Sequence, residues 1–243
     1  MKLQRDQLIC YALRYNGNYN AILEAIAKKE DYQETNVNAI TCIDANYPDC
    51  LWQLDQPPLC LFYKGDISLL NRRYIAMVGS RKIDKTTKKV VQTIVSELDC
   101  SYGVVSGMAN GVDSLAHNSA IITQRQTIAV LGSGIEYCYP RSNYELYDTL
   151  CKNYLVISEY PGITQPQKSF FPFRNRIVAA LGEKLIVPTA KLRSGSMVTV
   201  RYALEMNKDI LTVPELFVEE SGNNSLLKEG AETILDKKDI RSI

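Results

Sequence analysis

At 243 residues, with 46% hydrophobic and 23% charged side chains, the chain has enough apolar material for a sizeable core and falls outside the composition of disordered proteins. A formal net charge of +1 excludes a uniformly basic surface, so an anion-binding site has to be a local cluster of cations. In chain order, Leu8, Ile9, Ala12 and Leu13, then Ile22, Leu23 and Ile26, have helical spacing; a polar gap follows, then irregular sequence with Pro48, Pro57 and Pro58. Residues 1–66 are therefore expected to form a small N-terminal helical element and a linker, ahead of a larger unit over 67–243. From Tyr74 onward, continuous apolar runs recur at Ile75 to Val78, Val104-Val105, Thr127 to Leu131, Leu155 to Ile157, Leu185 to Val187 and Ile210 to Val213. Runs without alternation suit strands covered on both faces. Between them, helical spacing is carried by Val90, Val91, Ile94, Val95 and Leu98, by Val112, Leu115, Ala116, Ser119 and Ile122, and by Met197, Val200, Ala203 and Leu204. The alternation predicts an α/β fold with a doubly wound, mostly parallel sheet, whose ligand crevice lies at the carboxyl ends of the strands.

Seven cysteines, Cys10, Cys42, Cys50, Cys60, Cys100, Cys138 and Cys151, form no C-x-x-C pair and no metal-finger spacing, so neither a disulfide framework nor a metal site is expected. Cys100 and Cys138 stand beside apolar runs and are expected as buried free thiols, which suits a reducing compartment. The opening Met1 to Asp6 lacks the apolar stretch of a signal peptide, and no run approaches the ~18 apolar residues of a membrane span. A cytoplasmic protein without membrane association is expected.

The residues that follow the strands are Gly79-Ser80-Arg81, the stretch Ser106 to Asp113, Gly132-Ser133-Gly134, Ser158-Glu159-Tyr160-Pro161 and Arg193-Ser194-Gly195-Ser196. Glycine lets backbone N–H groups approach an anion, serine adds a hydroxyl donor, and the next helix contributes positive potential at its N-terminus. Ser106, Gly107, Gly132, Ser133 and Gly134 are accordingly phosphate-loop candidates; the alternative for any one loop is a glycine needed only for a tight turn. The segment Lys168-Ser169-Phe170-Phe171-Pro172-Phe173-Arg174-Asn175-Arg176 carries more information. Pro172 suits the first position of a helix, which puts Arg174 and Arg176 in a first turn where the helix dipole disfavours cations. An anion there would accept the free N–H groups and both guanidinium forks, while Phe170 or Phe171 offers a face to an unpaired base, worth about 1–3 kcal/mol. The alternative is that the phenylalanines are core and the arginines solvated.

Tyr47-Pro48, Pro57-Pro58, Leu61-Phe62, Lys64-Gly65, Val78 to Arg81, Ser106 to His117, Gly132 to Pro140 with Asn143, Ser158 to Pro161, Phe171-Pro172 with Arg174 to Arg176, and Ser194 to Ser196 stand in one order. In this order the chain, from about Tyr47 to Ile240, resembles the DNA-processing protein A family (DprA/Smf) of natural transformation. The resemblance implies an extended Rossmann-like fold that binds single-stranded DNA and helps load the RecA recombinase onto it, with no known catalysis. It carries the family's DNA pocket onto Gly79, Ser80, Arg81, Lys168, Phe171, Arg174, Asn175 and Arg176; Ser194, Gly195 and Ser196 join them as DNA-binding candidates. Asn110 stands where the family often has Arg, Thr189 where it usually has Glu, and Glu215 where Gly commonly follows Pro214. A dimer contact of the family maps to Gly222 to Ala231, so Leu226 and Leu227 are dimer-interface candidates for a homodimer. With Ile243 as its last residue, the chain is expected to lack the C-terminal winged-helix-like domain of many members.

Two rival readings are an enzyme and a nucleotide sensor. The P-G-G-x-G-T motif of nucleotide phosphoribohydrolases is missing, and Gly132-Ser133-Gly134 has Tyr137 where a dinucleotide fold needs its third glycine. His117, the single histidine, lies on a predicted helix, where a structural role is commoner than general-base work; Asp113 and Glu159 are expected to hold loop N–H groups or Arg81. A sensor or hydrolase of a phosphorylated nucleotide needs one closed pocket, whereas a strand binder needs an open basic track. No cofactor and no catalytic residue is expected.

Overall fold

The computed structural model describes residues 3–216 and 218–243. The six expected strands are present, as β3 (Arg73–Met77), β4 (Tyr102–Ser106), β5 (Thr127–Val130), β6 (Leu155–Ser158), β7 (Lys184–Val187) and β8 (Ile210–Thr212). Along β3, Tyr74 and Ala76 belong to one core and Ile75 and Met77 to the other, so successive side chains enter opposite apolar layers. That is the reason for the unbroken apolar runs. The helices that cover the second layer are α3 (Lys85–Glu97), α4 (Val112–Ile122) and α9 (Lys237–Arg241), with α5 (Tyr144–Asn153) beside α4 on the same face; those on the first include α1 (Arg5–Arg14), α6 (Phe170–Leu181) and α7 (Gly195–Glu205).

Residues 39–65 differ from the expected linker. They form β1 (Ala39–Thr41) and β2 (Cys60–Gly65), with β1 antiparallel to β2 and β2 antiparallel to β6, Tyr63 opposite Ile157. Adding β9 (Glu232–Thr233), the sheet order is β1-β2-β6-β5-β4-β3-β7-β8-β9. The N-terminal segment thus covers what would otherwise be an open strand edge at β6. Ahead of it, α1 packs Leu8, Ile9, Tyr11 and Ala12 into the core, and α2 (Tyr19–Lys28) begins at Asn18, whose side chain accepts the Ala21 N–H.

Strand order reverses between β3 and β7, the topological switch point at whose carboxyl side such folds place ligands; the clefts there open around the loop after β3 and over the ends of β4 and β5. Helix α6 starts beside the carboxyl ends of β4 and β5 and leads into β7. Cys100 corrects the expectation of a buried thiol: it is exposed, because its neighbours Asp99 and Ser101 form the turn that separates α3 from β4, while Cys138 is half-buried. All seven cysteines are free. Among the described residues no helix is long and apolar enough to cross a membrane.

Candidate nucleic-acid interface

Arg81 is exposed in the loop after β3, where Ser80 N–H donates to Thr189 O (2.9 Å) and Ser80 O accepts the Val112 N–H (3.1 Å). The first contact ties the β3 loop to the β7 loop and the second to the start of α4, so Gly79, Ser80 and Arg81 sit on a braced turn. The Arg81 guanidinium carbon lies 5.9 Å from the centre of the Phe171 ring, and Tyr139, itself exposed, tilts against the same ring at 5.4 Å between centroids. Arg81, Asn110, Gly132, Tyr139, Phe171 and Arg174 line a small cleft of about 80 Å³. A wider cleft of about 440 Å³ opens on the other side of Arg81, bordered by Lys82, Lys88 and Asn118. Lys168 is exposed in the turn before α6, and Asn175 is half-buried, its side-chain amide donating to Gly195 O (3.1 Å) and so linking α6 to the start of α7. Gly195 is exposed, Ser196 buried, and Ser194 half-buried with its hydroxyl oxygen unpartnered among the described residues.

Arg174 and Arg176 correct the expected first-turn arrangement. The helix begins two residues earlier, at Phe170, with Pro172 third, so both arginines fall in the second turn and point into the protein. Arg174 donates to Gly107 O (2.6 Å) and to Val130 O, capping the carboxyl ends of β4 and β5. Burial lowers it to about 10, which leaves it cationic at neutral pH. Arg176 forms a bidentate pair with Glu159 (2.7 and 2.6 Å), at 3% and 5% exposure, donates to Gln56 O (3.1 Å), and stacks 3.8 Å over Phe173. Glu159 therefore serves Arg176 rather than Arg81.

Among the phosphate-loop candidates, Gly107 and Gly132 line the small cleft beside the side chains they accommodate, and the polar groups of Ser106, Ser133 and Gly134 are bonded within the protein. A Cβ on Gly107 would come within 2.4 Å of the Arg174 guanidinium, and one on Gly132 within 2.8 Å of the Phe171 ring. These glycines make room for the side chains of Arg174 and Phe171 at the edge of that cleft. Ser106 and Ser133 are buried and donate to Met77 O (2.6 Å) and Tyr137 O (2.8 Å), while Gly134 N–H is taken by Thr164 O (2.7 Å). The loop after β5 is closed by the segment after β6.

His117 is fully buried between α4 and β5. Thr127 spends its one hydroxyl proton on Val104 O (2.8 Å), so His117 Nδ1 must donate to that hydroxyl (2.7 Å). Burial, with the Arg174 charge adding to it, pushes the imidazole down to about 3, so it is neutral and structural. Asp113 accepts the Ala109 N–H (3.3 Å) as expected, and burial raises it to about 6. Thr189 and Glu215, two departures from the family pattern, are partners: Thr189 Oγ1 donates to Glu215 Oε1 (2.5 Å), and Ser221 holds the other oxygen (2.5 Å). Sequence reasoning missed Tyr139 and the Lys82/Lys88 cleft; three lysines at 82, 85 and 88 near Arg81 were the available signal.

The family model described as DNA recombination-mediator protein A matches residues 38–243. The DNA processing protein DprA of Bacillus subtilis is 38% identical over 214 residues, covering 86% of this chain and 72% of the relative. That of Streptococcus pneumoniae is 37% identical over 204 residues, covering 83% and 72%. The X-ray structure of the S. pneumoniae protein superposes with a TM-score of 0.82 at 32% identity, over 97% of this chain and 92% of that one. The DNA processing protein A of Helicobacter pylori, described as having a unique single-stranded DNA binding mode, gives a TM-score of 0.76 at 32% identity, over 84% and 94%.

Proposed function

Because the chain belongs to the DNA recombination-mediator protein A family, we propose that it binds single-stranded DNA at the cleft between Arg81 and Phe171, over the carboxyl ends of β3, β4 and β5. The observation that carries this reading is the exposed guanidinium of Arg81 set over Phe171, with Tyr139 beside it and Lys168 in the turn just before α6. A cation and an aromatic face at one place suit a phosphate and its unstacked base together. The work is positional: the strand is held and offered to the RecA recombinase in the cytoplasm, with no bond made or broken and no cofactor required. Support for a non-catalytic role comes from burial, since His117, Asp113 and Glu159 are all enclosed.

The test is affinity for a short single strand against the matching duplex at two salt concentrations. The single strand is expected to bind more tightly, with little sequence preference, and to weaken as salt rises. Duplex preference, or binding indifferent to salt, would refute the reading.

Dimerisation through α8 (Gly222–Lys228) is part of the proposal. Leu226 is buried in the core, while Leu227, about 100° round the helix, is only half-buried and available to a second copy. Leu227→Arg is expected to turn a sedimenting dimer into a folded monomer and to lower apparent affinity for long strands through lost avidity. A wild type that sediments as a monomer at tens of micromolar removes the dimer.

A further inference from the structure

We propose that the groove between the N-terminal helices and the start of α6 is a second base-binding subsite, which takes an unpaired nucleobase of the same strand beyond the Arg81 cleft. The inference rests on the single-strand reading above and extends it to a surface built by the N-terminal element. The groove has a volume of about 470 Å³, the largest of the clefts described here and roomy enough for a base with its sugar. Five of its twelve lining residues are aromatic, five carry side-chain amides, and none is charged. A neutral wall of this kind does not attract a phosphate. Aromatic rings offer stacking faces, and amides such as Asn16, Gln56 and Gln167 carry both a donor and an acceptor, the pairing that a base edge presents.

The stacking wall is already assembled. Phe170 lies face to face on buried Tyr160, 3.9 Å between centroids and 14° between planes, which fixes its ring and leaves its outer face to the groove, and Phe173 is held from one side by the Arg176 guanidinium. The opposite wall is fixed as well. The turn between α1 and α2 rests on the carboxyl end of β6 through Gly17, where φ is +72° and a Cβ would come within 2.2 Å of Glu159 O. Only glycine fits there, so Tyr19, the first residue of α2, follows a turn docked against the sheet rather than a loose arm.

The path between the two subsites is short. Phe170 and Phe171 are consecutive and so point about 100° apart on α6, the first into the groove and the second into the Arg81 cleft. A strand passing from one to the other crosses the first turn of a helix about 10–12 Å wide, roughly two or three nucleotides. Exposed Lys168 stands in the turn just before that crossing, where it can meet the intervening phosphates.

The experiment compares wild type with Tyr19→Ser, Phe170→Ala, Gln167→Ala and Arg81→Ala. Binding to fluorescent oligothymidylates of about 4 and about 16 nucleotides is measured by anisotropy, and a 16-mer carrying 5-iododeoxyuridine is photocrosslinked and mapped by mass spectrometry. Tyr19→Ser and Phe170→Ala are expected to weaken the long strand about tenfold and leave the short one unchanged, with crosslinks at Tyr19 or Phe170. Gln167 is exposed, so its replacement keeps the fold intact and should give a smaller loss in the same direction. Groove variants that bind the long strand like wild type while Arg81→Ala is impaired would overturn the subsite alone. Crosslinks confined to Phe171 and Tyr139 would do the same. A wild type that binds neither strand would remove the functional reading and the subsite with it.

Discussion

Arg176→Ala is expected to lose about 3–5 kcal/mol of folding stability, because it strands the Glu159 carboxylate without its counter-charge in a site where both partners are at most 5% exposed. The substitution also removes the bond to Gln56 O and the guanidinium that covers Phe173. Urea denaturation should show the midpoint falling with the slope unchanged. Replacing both members by apolar residues, Arg176→Met with Glu159→Leu, should recover most of the loss, since the cost lies in the orphaned charge and not in the absence of the pair. A single variant as stable as wild type would mean that the carboxylate finds water or another cation. The result also bears on any binding assay: loss of DNA binding in Arg176→Ala would report unfolding, so the variant cannot serve as evidence of a phosphate contact.

A cleaner probe is Arg81→Ala with Lys168→Ala and Phe171→Ala, whose side chains are exposed or half-buried and whose loss leaves the core intact. Stacking of a base on an aromatic face contributes about 1–3 kcal/mol, and a hydrogen bond to a charged group about 1.5–3 kcal/mol. The triple variant should therefore bind single-stranded DNA at least about a hundredfold more weakly. The dependence of log affinity on log salt should flatten by about 1.4, two phosphates at about 0.7 each for a single strand. Phe171→Ala alone should weaken binding without changing the salt dependence, because it removes a base contact and no ion pair. Wild-type affinity in the triple variant would place the strand elsewhere on the molecule.

The sheet and its crevice were legible because each strand from β3 to β8 is buried on both faces and so appears as an unbroken apolar run. Strand β2 carries a similar run, Cys60 to Tyr63, but follows Pro57 and Pro58, and its partner β6 lies more than ninety positions away in the chain. Nothing local marks such a pairing. In the candidate site, residue identity was legible and direction was not. Shifting the start of α6 by two residues turns Arg174 and Arg176 from an anion site into internal braces. A glycine that admits a phosphate and one that admits Phe171 or an arginine are the same letter, and only the distance to the neighbour separates them. Glu159 was legible as a partner for an arginine, but the sequence pointed to Arg81; the buried strand end it closes faces α6, so the cation is Arg176.

The hydrogen bond between Thr189 and Glu215 makes these two positions epistatic. The family's usual Glu at 189, introduced beside the present Glu215, would set two carboxylates where a hydroxyl now donates across 2.5 Å, and like charges at that distance cannot both ionise. The usual Gly at 215, introduced alone, would leave Thr189 and Ser221 without their acceptor. Either single substitution is therefore expected to destabilise the site more than the two together. Because Thr189 O also receives the Ser80 N–H, a change at this pair reaches the Arg81 loop through the backbone.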